Sequence, residues 1–265
     1  MLYSAQEIAY RVGQYARREL GRVKIEYKST NEMVTAADRH CQNMIISDIS
    51  RNWPGHGFIG EEGPEGKLLK QPPSGSEDIW WIIDPIDGTR NYAHGLPHFV
   101  ISIAAMKDNV PVIGIIYDPN TDLMFTAQQG QPARCNDDII CCRNETLDTN
   151  SQIAVCGLST PPTPAFLPHI IENYIYINIG TAALHWAYVA QGGVSGAIAQ
   201  RVKLWDIAAG AVIAQCAGAQ VTDWQGNSRF PINCHSYQGQ PIPILIAGKK
   251  PHEQLVNILN SPAVL

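Results

Sequence analysis

The run Trp81-Ile82-Ile83-Asp84-Pro85-Ile86-Asp87-Gly88-Thr89 restricts what this chain can fold into more than any other segment. Its apolar start reads as a buried strand, and Asp84-Pro85 reads as that strand's abrupt end. Pro85 fixes φ and turns the chain, so Asp84 and Asp87 can converge on one hard cation, with the Ile86 carbonyl between them as a further oxygen. All-oxygen ligation of this kind suits magnesium, which proteins hold through carboxylates plus substrate phosphate. Gly88 permits close backbone approach, and Thr89 offers a hydroxyl and an N–H where a helix can begin, a ready anion site. Taken alone, Asp-Pro-x-Asp-Gly is more often a surface turn than a metal site.

A buried strand needs a core to enter. At 265 residues, 45% hydrophobic and 16% charged, the chain can bury one as a large domain or as two half-sized lobes. The net charge of −5 gives no electrostatic footprint for nucleic acid or an anionic membrane, so neither is expected as a partner. Phosphate chemistry on so acidic a chain needs metal ions to supply positive charge locally. No apolar run is long enough to span a membrane and Met1-Leu2-Tyr3-Ser4 does not open a signal peptide, which together predict a cytoplasmic protein. The seven Cys lack disulfide or zinc spacing and the eight His are scattered, so reduced thiols and no zinc are expected.

Periodicity places the remaining elements. Ser4 and Glu7 have capping-box spacing for a helix to Leu20, and a second helix is expected from Ala36 to Arg51. Gly63 to Asp78 reads as a solvent-facing excursion, and Phe99–Met106 with Val110–Tyr117 as a hairpin. Strands are expected near Leu123–Ala127, Ile139–Cys142, Tyr174–Ile179 and Ser195–Ala199, and in Ala219–Asp223 before a turn at Gly226. Helices follow from Thr181 to Gln191, stopped by Gly192-Gly193, and from Trp205 to Ala217. This α/β (α+β) mixture predicts two layered lobes with a site between them. They are taken as 1–150, an N-terminal α+β lobe with most metal ligands, and 151–265, a C-terminal α/β lobe with Asp206 and the pocket wall; the proline-rich Thr160–Pro168 is the candidate boundary.

Other acids stand at apolar-to-polar junctions. Glu61 ends the apolar step Phe58-Ile59-Gly60, or simply begins an acidic loop. Asp206 follows Trp205 at a helix N-terminus, where a cap or a dipole-compensating acid is an equal reading. Asp38 lies three residues after Thr35, the spacing of a capping pair. With the Asp84 junction, four in one chain are less easily dismissed than any one.

The chain resembles the inositol monophosphatase family of magnesium-dependent, lithium-sensitive phosphatases. Trp81 to His94 resembles the family's first signature, and Trp205-Asp206-Ile207-Ala208-Ala209-Gly210, continuing through Ala217-Gly218-Ala219, its second. Phe58 to Glu62, Val34 to Asp38 and Gly180-Thr181-Ala182-Ala183 are similar to further blocks, in family order. The resemblance implies a layered αβαβα sandwich, a homodimer, two or three magnesium ions and a small phosphorylated metabolite as substrate, inositol-1-phosphate-like first. Glu61, Asp84 and the Ile86 carbonyl would hold one ion, and Asp84, Asp87 and Asp206 a second. Asp38, Thr89 and Glu61 would be catalytic, Thr89 with Asp38 orienting the attacking water. Gly88, Thr89, Ala183 and Asp206 would meet the substrate, and Lys28 a loop or phosphate.

Departures concern the leaving group. Inositol-specific members carry Glu seven positions before the second-signature Asp, where this chain has Ala199, and His185 stands where many have Asp. Arg201 and Lys203 alternate, so in a strand both face one side, able to grip a second anionic group or simply solvated. A 3'(2'),5'-bisphosphate nucleotide, histidinol phosphate or a sugar bisphosphate is the alternative substrate, and a regulatory binding protein keeping the fold is the alternative of another class.

Overall fold

The computed structural model describes residues 1–22, 25–29, 32–158 and 163–261. Its first sheet has eight strands in the order β10 (Asp138–Ile139), β9 (Arg134–Cys135), β8 (Leu123–Gln128), β7 (Val110–Asp118), β6 (Val100–Lys107), β5 (Ile79–Asp87), β3 (Gly57–Gly60) and β4 (Leu69–Gln71). All neighbours are antiparallel except β3 and β5. The second sheet has five strands, ordered β12 (Ile175–Ile177), β11 (Gln152–Cys156), β13 (Gly196–Val202), β15 (Ile242–Ala247) and β14 (Gln220–Thr222). A short hairpin, β1 (Ile25–Ser29) and β2 (Glu32–Thr35), stands apart from both.

Helices fill the spaces in layers. Helices α1 (Leu2–Glu19) and α2 (Ala36–Asn52) cover one face of the first sheet, and α5 (Ala182–Gln191) with α6 (Leu204–Cys216) lies between the two sheets. On the far face of the second sheet are α4 (Phe166–Asn173) and α7 (Lys249–Asn260). The order is helix, sheet, helix, sheet, helix. A helix between two sheets must be apolar on every side, and in α6 only Asp206, Gln215 and Cys216 escape full burial. Gly114 of β7 lets α6 seat on the sheet, because a Cβ there would come within 2.5 Å of the Ala209 carbonyl oxygen. One apolar core joins Trp80, Ile82 and Phe125 of the first sheet to Ile244 and Ile246 of the second through this middle layer. No helix among the described residues is long and apolar enough to cross a membrane.

Several elements differ from expectation. Helix α1 starts at Leu2 with no side-chain cap, so Ser4 and Glu7 form no capping box; amphipathic burial of Ala5, Ile8, Ala9 and Val12 suffices. The supposed excursion from Gly63 to Asp78 contains β4, which pairs with β3. The strand expected near Ile139–Cys142 is the two-residue β10. The chain passes between sheets after Ile139 and before Gln152, while the proline-rich stretch, with 159–162 outside the described residues, leads from β11 into α4 within one sheet's layers. Helices α4 and α7 and strand β15 were not anticipated.

Candidate functional site

Strand β5 does not stop at Asp84-Pro85. It runs on to Asp87, and the irregularity falls inside it: its register against β6 shifts between Asp84 and Asp87. Proline is tolerated there because a bulge asks for no ladder hydrogen bond, and β3, the other neighbour, pairs only as far as Ile83. The extra residue also sets the geometry. In a regular strand, side chains three apart face opposite ways. Here Trp80 and Ile82 enter the core between the sheets, Trp81 and Ile83 enter the core under α1 and α2, and Ile86 joins the latter. The parity has flipped across the bulge, and Asp87 therefore returns to the face of Asp84. Gly88 follows at φ 99°, caps the short α3 (Thr89–Ala93), and has no room for a Cβ, which would meet the His98 carbonyl oxygen at 2.7 Å.

Asp206 reaches the same face from α6. One carboxylate oxygen from each of Asp84, Asp87 and Asp206 can be chosen so that all lie within 4.8 Å of one another. Glu61 leaves the end of β3, where its N–H donates to the Ile83 carbonyl (3.3 Å), and its charge acts on Asp84. Asp38 is fully buried at the start of α2. Its Oδ2 accepts from the Thr35 N–H (2.8 Å) and hydroxyl (2.6 Å), so the capping box is real. Its Oδ1 faces the Thr89 hydroxyl at 3.2 Å, and that hydroxyl lies 3.0 Å from the Ile86 carbonyl oxygen. Thr89 has one hydroxyl proton for two acceptors.

Electrostatics give the cluster a capacity for a cation. Burial first, then the charges of Glu61, Asp87 and Asp206, hold the Asp84 carboxyl well above the usual range. Burial raises Asp87 against the Thr181 hydroxyl and the N–H groups of Ala183, Ala182 and Gly88. Asp206 is pushed up to about 7 by burial and then by Asp87, and it hydrogen-bonds Asp84. Three buried carboxyls that repel one another shed that cost by binding protons or a hard cation. The all-oxygen donor set, with the Ile86 carbonyl nearby, fits a divalent metal such as magnesium.

Comparison with known proteins follows the same lines. The model of the inositol monophosphatase family matches residues 1–261. The chain belongs to the inositol monophosphatase family. Among its relatives, the Nus factor SuhB of Pasteurella multocida (strain Pm70) is 35% identical over 236 residues, covering 86% of this chain and 84% of that protein. The inositol-1-monophosphatase of Rhizobium meliloti (strain 1021) is 32% identical, covering 84% and 85%. Among solved structures, the extragenic suppressor protein suhB of Bartonella henselae superposes with a TM-score of 0.88 at 28% identity, covering 98% of each chain. The Thermotoga maritima IMPase superposes with a TM-score of 0.81 at 29% identity, covering 96% and 94%. This is a family of metal-dependent phosphatases, and the fold is the expected layered one.

Other members of the site were less legible. Thr181 is expected as the start of a helix and as part of a family-like block, with no site role; its hydroxyl donates to Asp87 Oδ2 while it caps α5. A Thr directly before a helical run was the available signal. The Ala183 N–H also donates to Asp87 Oδ2 (2.6 Å), so this backbone fixes a carboxylate. His185 is fully buried and only half satisfied: Nε2 accepts from the Ile179 N–H (3.1 Å) and Nδ1 has no protein partner, while burial lowers its pKa to about 4. Cys156 lies near the cluster with its thiol raised by burial, then by Asp87 and Asp206, and is no nucleophile. Ala199 is buried in the core, whereas Arg201 and Lys203 line a cleft of about 540 Å³ together with Glu61 and Asp206. The Lys28 side chain lies outside the described residues.

Proposed function

We propose that this chain hydrolyses a small phosphate monoester with magnesium and water, inositol 1-phosphate being the reference member of the substrate class. The observation that carries this is the convergence of Asp84, Asp87 and Asp206 on one face, with Glu61 close enough for its charge to act on Asp84. In this reading Glu61, Asp84 and the Ile86 carbonyl would hold one ion, and Asp84, Asp87 and Asp206 would hold a second. Bound there, magnesium lowers the pKa of water and neutralises charge on the phosphoryl group. The chain's own residues position the reactants. Asp38 Oδ1 draws the Thr89 hydroxyl proton toward itself, which turns the Thr89 oxygen outward as an acceptor for the attacking water. The Gly88–Thr89 backbone and Ala183 border the phosphate position, and Asp206 meets the substrate at the cleft. Thr181 locks Asp87, so one carboxylate geometry persists. The working unit is a homodimer in the cytoplasm.

A second reading rests on the relatives named Nus factors: a regulatory binding role on a retained fold. Phosphate release from a panel of monoesters and bisphosphates, with and without magnesium, separates the two. The expected result is magnesium-dependent turnover that falls by about 10³-fold in Asp87→Asn. Magnesium-induced stabilisation without turnover of any ester favours the binding role, and neither effect sinks the metal centre.

A further inference from the structure

The cleft leading to the carboxylate cluster is basic. Lys67, Lys70, Arg201 and Lys203 line it alongside Glu61 and Asp206, in a chain whose overall charge is −5. Two of these cations are held by neutral oxygens. The Lys203 ammonium donates to the Gly239 carbonyl, and the Lys70 ammonium to the carbonyls of His235 (2.6 Å) and Tyr237 (2.9 Å). Those hydrogen bonds fix position and do not themselves neutralise the charge, although the Lys203 charge also acts on Asp206. Arg201 is exposed, and no hydrogen bond or ion pair engages its guanidinium among the described residues.

Local structure explains why Arg201 faces the cleft. Strand β13 pairs regularly with β15 through Ala199, and the register then shifts before Val202. Ala199 stays in the core and Val202 packs there too, while Arg201 and Lys203 emerge on the side where Asp206 begins its helix. The same segment therefore offers a neutral polyol no acceptor at Ala199, and offers an anion two cations.

We infer that Arg201, supported by Lys203, is a specificity-determining residue that selects phosphate esters carrying a second anionic group, a carboxylate or another phosphate. This rests on the phosphomonoesterase reading above. In it the acids of the cleft and the substrate's reacting phosphate are matched by bound metal, so the Arg201 guanidinium is left for a further anion. The planar guanidinium fork suits either group through paired N–H donors.

Matched esters test it. Glycerol 3-phosphate and 3-phosphoglycerate differ in one terminal group, a hydroxymethyl against a carboxylate. Fructose 6-phosphate and fructose 1,6-bisphosphate differ in one phosphate. For wild type, Arg201→Ala and Arg201→Lys, we would measure kcat/KM by phosphate release and affinity by calorimetry, both in magnesium. The doubly anionic member of at least one pair is expected to be preferred about tenfold or more, and the pair that shows it names the anion. Arg201→Ala should collapse the preference to within about threefold, and Arg201→Lys should restore part of it. Wild type preferring neither member in either readout, or Arg201→Ala keeping the full ratio, overturns the inference. Turnover of the singly charged esters alone does so too while leaving the phosphatase reading intact. A calorimetric preference lost in Arg201→Ala, with no ester hydrolysed, upholds the anion site and defeats the phosphatase reading.

Discussion

Asp38 and Asp206 occupy the same position in two different helices. Each is the third residue of its helix, and each turns an oxygen back to the N–H three residues earlier: Asp38 to Thr35 at 2.8 Å, Asp206 to Lys203 at 2.5 Å. What surrounds the other oxygen separates them. Asp38 meets a donor there, the hydroxyl of Thr89. Asp206 meets Asp84 and Asp87, which are acceptors like itself, and its pKa rises to about 7. A satisfied carboxylate orients its neighbours, whereas one facing other carboxylates is relieved by a proton or a cation. The sequence pattern of a cap is common to both, so the cap and the site are not rival readings.

The largest effect expected from this contrast is on catalysis. Asn at position 206 keeps an oxygen for the Lys203 N–H and removes the charge. Asp206→Asn should lower phosphate release by about 10³-fold, roughly 4 kcal/mol of barrier. It should also abolish the rise in Tm that magnesium gives the wild type, a stabilisation of about 2–3 kcal/mol at a hundredfold excess over Kd. Its metal-free Tm should stay level or rise, because one repelling charge is gone. A metal-free Tm several degrees below wild type would mean that Asp206 acts mainly as a cap.

A smaller effect follows from pH. Asp206 has its pKa raised from 3.8 to about 7 in the fold, so its contribution to stability is fully present below 3.8 and is lost as pH rises through about 7. The slope reaches about 1.4 kcal/mol per pH unit in that window. Magnesium competes with the same protons, so its stabilising effect should be larger at about pH 8 than at about pH 5. His185 has the opposite sign: its pKa is depressed to about 4, so stability is lost as pH falls from 6.5 toward that value. That contribution is common to samples with and without metal and cancels in the difference. Melting curves at both pH values, with and without magnesium, give the comparison; a magnesium effect that is flat or larger at the acid end would remove the repelling cluster as its origin.

The sequence disclosed the site's members better than their arrangement. Asp84 and Asp87 were legible as a pair, but the reason they share a face was not. A turn at Pro85 was expected, and a bulge within a continuing strand was found, because φ fixed by proline is compatible with either and only the partner strand β6 decides. The buried run from Ile79 to Ile83 showed its strand plainly, having two apolar cores to enter. Helix α7 and strand β15 were missed for the opposite reason: Pro241, Pro243 and Pro251 punctuate them, and what secures them is tertiary burial of Leu245, Ala247 and Leu255 with α4. Thr181 shows the same limit at the site, since a cap is visible locally and a hydrogen bond to Asp87 across 94 residues is not.

The smallest effect is on the stability of the satisfied partner. Asp38→Ala removes the acceptor of the Thr35 N–H and hydroxyl and leaves α2 with half its capping box. Loss of a cap costs about 1–2 kcal/mol, which lowers Tm by a few degrees in a protein of this length. Activity should fall as well, since Thr89 loses the acceptor that orients it. The magnesium-induced rise in Tm is what distinguishes this variant: it should survive in Asp38→Ala at nearly its wild-type size and vanish in Asp206→Asn. Differential scanning calorimetry of both variants with and without magnesium therefore crosses the two readouts. If both lose the magnesium effect equally, the two aspartates belong to one ligand set and the contrast between them fails. If Asp38→Ala alone loses metal-free stability and Asp206→Asn alone loses the metal response, the oxygen facing away from the helix is what assigns each role.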